Sequence, residues 1–229
     1  MQKVNLKLNG RDWQVYLRDE ADQSVFNEIF KLKEYRSADE VIKTAKHPIV
    51  DVGAHAGFFT MYCRSLNKQV KIYAVEPEPG NISLLRQHLR ENKINGVKVI
   101  VGALAKVSGK RRLLLSVDSH NHRLVLDGGN NENSISVKAW SISDFCRQNK
   151  IKKISLLKMD IEGGEYELFE GLSEDELSVV NFVILEYHMG KEYKQIEEKL
   201  RANGFGVQVF PSHFDKTMGF IWANNKRAN

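Results

Sequence analysis

Four ionisable residues stand near the ends of two apolar segments that read as strands. LLKMDIEGGEYE carries Asp160 and Glu162, and VILEYH carries Glu186 and His188. Period-two alternation gives Asp160 and Glu162 one facing, and Glu186 and His188 another shared facing. In an open α/β sheet such strand ends border the ligand crevice. A neutral imidazole beside carboxylates suits removal of a proton from an alcohol, with Glu186 orienting the base or binding substrate hydroxyls. The same four groups could instead hold a divalent metal such as magnesium, but their spacing is not metal-specific, and no metal is assigned. Glu165, at the start of a helix, is given only the ordinary preference of an acid for that position. Lys158-Met-Asp at a strand end is costly to bury without a partner, which favours a functional Asp160.

A second set lies upstream. In VDVGAHAGFFT, Gly53 and Gly57 fall where a strand passes into a helix, so backbone can approach a ligand and free amides face it. The Gly-x-x-x-Gly spacing differs from the Gly-x-Gly-x-x-Gly of dinucleotide sites, which argues against NAD. Glu76 ends the next strand, IYAVEPEP, 25 positions after Asp51. A carboxylate there accepts hydrogen bonds from both hydroxyls of a nucleoside ribose, and Pro77 and Pro79 shape the turn beyond. Alone, the turn would suit any tight connection; with Glu76 it points to a nucleoside cofactor.

Alternating elements must position these groups. Val4, Leu6 and Leu8, then Asn9-Gly10, then Trp13, Val15 and Leu17 predict a hairpin. A helical stripe follows from Ser24 to Leu32, and a short helix over 39–44. Strands at 48–52, 70–75 and 97–101 alternate with helices at 57–67 and 79–92, the pattern of a parallel sheet. The stretch 108–139 reads as an inserted hairpin whose tip, near His120, His122 and DGGNNENS, is expected to be mobile. Further on come a helix at 141–148, strand 154–159, helix 164–169, strand 179–185 and helix 192–202, then two closing antiparallel strands. The expected organisation is one domain, 1–229, with an N-terminal cap over 1–47 and a Rossmann-like core over 48–229.

The chain has 229 residues, 42% of them apolar, enough for one substantial core. Its net charge of +5 is spread among interspersed acids and bases, the mark of a solvated surface. Cys63 and Cys146 sit in apolar-periodic segments as small core residues, and no apolar run has signal-peptide or membrane-spanning length, so a soluble cytoplasmic protein is expected. His213, after Pro211, reads as a surface residue.

DVGAHAGFFT, AVEPEPGNISLLRQHLREN, LLKMDIEGGEYELFEGL and VILEYH, in that order, resemble the FkbM-type methyltransferases, and NEIFKLKEY is similar to the segment before that family's glycine turn. The resemblance implies a class I fold, a seven-stranded, mostly parallel sheet with the last strand inserted antiparallel. It also implies S-adenosylmethionine as methyl donor and O-methylation of a small molecule, sugar or glycan. The cofactor residues expected are Asp51, Gly53, Ala54, His55, Gly57, Phe58, Glu76, Pro77, Gly102, Ala103 and Asp160; from its place at the strand end Asp160 could hold the cofactor's ammonium group, and either it or Glu162 could meet substrate. His55 stands where the family commonly has Asn, and so does Gly102. Oxygen is the expected acceptor, because no Asn-Pro-Pro-Tyr segment follows the fourth strand. RNA methylation is an alternative raised by the positive charge, although no alternation of aromatic and basic residues supports nucleic-acid binding. A non-catalytic nucleotide-binding protein of the same fold is the other. Acceptor contacts are expected from the cap, including Tyr35, and from the 108–139 hairpin; oligomeric state has no signal in the sequence.

Overall fold

Asn9 and Gly10 both take positive φ, 49° and 74°, and so close a two-residue turn that few other pairs would tolerate. The turn joins β1 (Gln2–Leu8) to β2 (Arg11–Leu17) as the expected antiparallel ribbon. Trp13, Val15 and Leu17 are buried, while the β1 side chains pack only partly against them. The computed structural model describes residues 1–115, 123–126, 133–161, 164–188, 193–212, 215 and 217–227.

The first helix, α1 (Glu20–Phe26), begins four residues before Ser24, because the Asp19 carboxylate accepts the Asp22 N–H and caps it. A π-helical turn continues it over Asn27–Leu32 until Lys33, at φ 58°, ends it. A 3-10 turn (Glu34–Ala38) and α2 (Asp39–Thr44) complete the cap.

Then β3 (Ile49–Val52), α3 (Phe58–Leu66), β4 (Ile72–Glu76), α4 (Pro79–Glu91) and β5 (Val97–Val101) follow the expected alternation. The inserted stretch is more than a hairpin: β6 (Ala103–Leu104), β7 (Gly109–Leu114), β8 (Arg123–Leu126) and β9 (Ser134–Trp140) form a small sheet ordered β6–β9–β7–β8. Residues 116–122 and 127–132, with His120 and His122, lie outside the described residues, as does the expectation of a mobile tip. Next come α5 (Ile142–Asn149), β10 (Leu156–Met159), α6 (Glu165–Gly171), α7 (Glu174–Ser178), β11 (Phe182–Tyr187), α8 (Tyr193–Ala202), β12 (Phe205–Pro211) and β13 (Gly219–Asn225). The strand expected at 179–185 starts later: α7, opened by a Ser173–Glu176 capping box, has Val179 as its C-cap, and Val180 makes only an isolated bridge to Ile154 before β11 begins.

The main sheet has the order β12–β13–β11–β10–β3–β4–β5, and only β13 runs antiparallel. β3, β4 and β10 are buried at every position, as parallel strands covered on both faces must be. Successive residues feed two cores. Val50, Val52, Leu157 and Met159 pack towards α5, α6 and α8, while Ile49, Ile72, Leu156 and Ile184 pack towards α3 and the cap. Strand order reverses between β3 and β10, which is where a doubly wound sheet opens its crevice. Among the described residues, no helix is long and apolar enough to cross a membrane.

Candidate active site

A cavity of about 820 Å³, counted to its open mouth, lies over the carboxyl ends of β3, β4 and β10. Gly53, Ala54, His55 and Phe58 of the turn, Glu76 and Pro77 after β4, Gly102 and Ala103 after β5, and Asp160 after β10 all line it. Asp51 and Gly57 do not. Asp51 is fully buried beneath the turn, where it accepts the Thr60 hydroxyl (2.7 Å) and faces Lys158 Nζ at 3.5 Å. Gly57 is the left-handed residue before α3, and a Cβ on it would lie 2.8 Å from Leu85 of α4. Its role in the structure is helix packing.

Gly53 is constrained more tightly. Its φ is +71°, and a Cβ there would sit 1.8 Å from the carbonyl oxygen of Asp160. The backbone that approaches closely is the protein's own. At Gly102, φ +146°, a Cβ would meet the Lys138 carbonyl at 2.3 Å, so this glycine lets the small sheet close against the cavity wall.

Glu76, 5% exposed, is fixed in place: Oε2 accepts the His55 N–H (2.8 Å), and Oε1 accepts the Glu78 N–H (2.9 Å) and the Asn81 side-chain amide (3.3 Å). Three of a carboxylate's roughly four acceptor positions are thus used, and one stays open. Burial pushes its pKa up to about 7, against the pull of the Glu78 and His55 amides. His55 takes φ 50°, and its Nε2 lies 3.5 Å from Asp22, itself bonded to Arg18. Its side chain joins the glycine turn to the cap.

At the other end of the cavity Lys158 is buried at 3% exposure. Its ammonium donates to the Gly53 carbonyl (2.9 Å) and stands 3.5 Å from Asp51 and 3.6 Å from Asp160. Burial alone would lower its pKa, but Asp160, Asp51 and Glu186 together raise it. One ammonium cannot neutralise three carboxylates, and half-buried Glu186 is the one pushed well above the usual range, by burial and by Asp160. Asp160, Glu186 and His188 each bring one ligand-type atom within 4.8 Å of the others, near enough for a hard cation to bridge, yet Lys158 already supplies positive charge there. His188, 8% exposed, sits beside the cavity rather than on its wall, with Nε2 4.0 Å from Asp160 and Nδ1 3.5 Å from Glu165. Glu165 is fully buried, so its part goes beyond the helix-end preference expected of it. Glu162 and His213 lie outside the described residues.

Tyr35 also lines the cavity, with Val25 and Ile29 from the cap, as expected for the former. Asn81, Leu104 and Leu113 are wall residues that the sequence did not single out. Only Asn81 had a signal, its place three residues after Glu78, whose side chain caps α4.

A family model, the methyltransferase FkbM domain, matches residues 51–207. The chain belongs to this family. Two methyltransferases are relatives at similar distances. A hexuronic acid methyltransferase, AglP, of Haloferax volcanii is 26% identical over 82% of this chain and 77% of its own. Methyltransferase 1 of Beauveria bassiana is 26% identical over 70% of this chain and 73% of its own. The crystal structure of an FkbM methyltransferase from Methylobacillus flagellatus superposes with a TM-score of 0.53 at 14% identity, over 90% of this chain and 55% of that one, and shares the class I fold. The protein is a methyltransferase, and its family implies S-adenosylmethionine as donor.

Proposed function

We propose that this FkbM methyltransferase transfers a methyl group to a hydroxyl of a small molecule or sugar, with cofactor and acceptor meeting beside Asp160. The supporting observation is the cavity itself. One end offers a buried carboxylate, Glu76, with an open acceptor position; the other offers Asp160 with His188 4.0 Å away. The donor set fits an adenosyl cofactor: the open position of Glu76 takes a ribose hydroxyl, the apolar wall of Ala103, Leu104 and Leu113 takes the adenine, and Asp160 takes the ammonium group. When bound, the cofactor supplies a sulfonium methyl that is displaced directly.

The chain's own residues do the rest. Lys158 holds Asp160 and the Gly53 backbone in one fixed arrangement, so that the acceptor side and the cofactor turn keep their separation. His188 takes the hydroxyl proton as the oxygen attacks. Glu186, which keeps its proton to higher pH than a free glutamate, donates a hydrogen bond to an acceptor oxygen and orients it. Glu162 belongs to the same acidic strand end in sequence. The hexuronic acid named for the Haloferax relative makes carbohydrate hydroxyls the first acceptors to screen.

The test follows S-adenosylhomocysteine release across a panel of hydroxylated acceptors, sugars and uronic acids first. His188→Ala is expected to lose about 10²–10⁴-fold in kcat with S-adenosylmethionine affinity unchanged. Full turnover in that variant would remove His188 as the base, and NAD binding as tight as S-adenosylmethionine in calorimetry would overturn the cofactor assignment.

A further inference from the structure

We infer that Glu165 is a positioning residue for His188: it holds the proton on Nδ1, so that the Nε2 lone pair is presented towards Asp160 and the acceptor. This rests on His188 acting as the base, and it gives that base a fixed tautomer. Glu165 opens α6 but turns inward, with 0% exposure, and its Oε1 both accepts the Ile161 N–H (2.8 Å) and lies 3.5 Å from His188 Nδ1. On the opposite side of the same ring, Nε2 faces Asp160 of the cavity wall at 4.0 Å. The imidazole therefore stands between a buried carboxylate and the site, with one nitrogen to each.

A separate observation concerns the second oxygen. Glu165 Oε2 is buried with no hydrogen-bond partner among the described residues. An acid that only favoured a helix N-terminus would keep its oxygens in water or on the helix amides, and a buried carboxylate oxygen without a donor is costly. A carboxylate beside a ring nitrogen favours the proton there, because it accepts from N–H and repels a lone pair; of the two that flank this ring, Glu165 is nearer and fully buried, while Asp160 lies 4.0 Å from Nε2 with 24% of its side chain exposed, so Glu165 prevails. The 3.5 Å separation is longer than a hydrogen bond, and contacts of this kind shorten when an active site fills. The Tyr166 hydroxyl, from the next residue of α6, donates to the His188 carbonyl (2.5 Å), so the helix fixes the backbone as well as the ring. Catalysis needs this pre-setting: an imidazole with its proton on Nε2 presents no lone pair to an acceptor hydroxyl.

The experiment is nitrogen NMR of the intact chain labelled at histidine and loaded with S-adenosylhomocysteine, at a pH that leaves imidazole neutral. Seven histidines are present, so His188 is assigned from the signal lost in His188→Gln. Wild type is expected to show the Nδ1–H tautomer. Glu165→Gln, which retains an acceptor oxygen, is expected to keep it, while Glu165→Leu shifts the ring to Nε2–H and lowers kcat by up to about 10²–10⁴-fold without changing S-adenosylmethionine affinity. An Nε2–H signal in wild type, or an unchanged tautomer in a folded Glu165→Leu, would overturn the assignment; should that variant fail to fold, the wild-type and Glu165→Gln spectra still decide. Failure of the base itself reads out separately, as turnover retained in His188→Ala with the tautomer of wild type still Nδ1–H.

Discussion

Glu76 and Lys158 carry opposite kinds of risk. In the proposed role Glu76 must be ionised to accept a ribose hydroxyl beside its three protein donors, and burial lifts its pKa to about 7. Affinity for S-adenosylmethionine is therefore expected to be full above that pH and to fall about tenfold per pH unit below it, since the bound state then has to expel a proton. Calorimetry across pH checks this, and Glu76→Gln should bind about 10–100-fold more weakly with a flat profile, the loss expected for hydrogen bonds to a charged group. Lys158 is the counter-charge for Asp51 and Asp160. Lys158→Met leaves the fully buried Asp51, with part-exposed Asp160 nearby, without a cation, an expected cost of about 3–5 kcal/mol in urea unfolding. Part of this is legible in the residue pattern alone: the turn and Glu76 line one cavity as their spacing leads one to expect, and a lysine between strand-end acids demands partners. Asp51, though, given as a cofactor contact by the resemblance, is fully buried under the turn and off the cavity wall, bonded to Thr60 and facing Lys158. Glu165 likewise looked like any acid at a helix start.

At the scale of elements, α4 and the N-terminal ribbon are locked by a side-chain imitation of strand pairing. The Asn92 side chain accepts the Gln14 N–H (2.7 Å) and donates to the Gln14 carbonyl (2.8 Å), and one turn earlier His88 Nε2 accepts the Tyr16 N–H (2.9 Å). With Nε2 accepting, His88 Nδ1 carries the proton and donates to the Ala56 carbonyl (2.8 Å) of the glycine turn. Burial lowers the His88 pKa, so the folded chain keeps the ring neutral where the unfolded chain protonates it. Stability from this histidine is present above about pH 6.5 and lost as pH falls below it. Melting temperatures should drop more steeply for wild type than for His88→Gln between about pH 7.5 and about pH 5.5. Elements with strong periodicity were readable, β5 to the residue. Where reading and structure part, the element is short or ruled by a cap: the helix expected from Ser24 starts at Glu20 through the Asp19 cap, and β6, which spans only Ala103–Leu104, was not expected.

For the whole molecule, the two apolar cores share one sheet, since Val50 and Ile49 point into different ones from adjacent positions of β3. Cap and core should therefore unfold in a single transition, with the same midpoint by far-ultraviolet circular dichroism and by tryptophan fluorescence. Removing residues 1–17 takes away Trp13, Val15 and Leu17, whose burial contributes about 5–9 kcal/mol, comparable to the full stability of a domain. The shortened chain is expected to lose its cooperative transition and its S-adenosylmethionine binding together. A shortened chain that melts normally would make the ribbon an accessory.

The Asp160 carbonyl stands where a side chain on residue 53 would have to go, at 1.8 Å. Gly53 is thus demanded by the path of the chain whether or not any ligand arrives. A descendant that had lost catalysis would still keep this glycine in order to fold; Glu76 also has protein donors, the His55 and Glu78 amides and the Asn81 side chain, but none of them requires its charge. For judging whether a distant copy is still an enzyme, the glycine is a poor witness and the glutamate a good one.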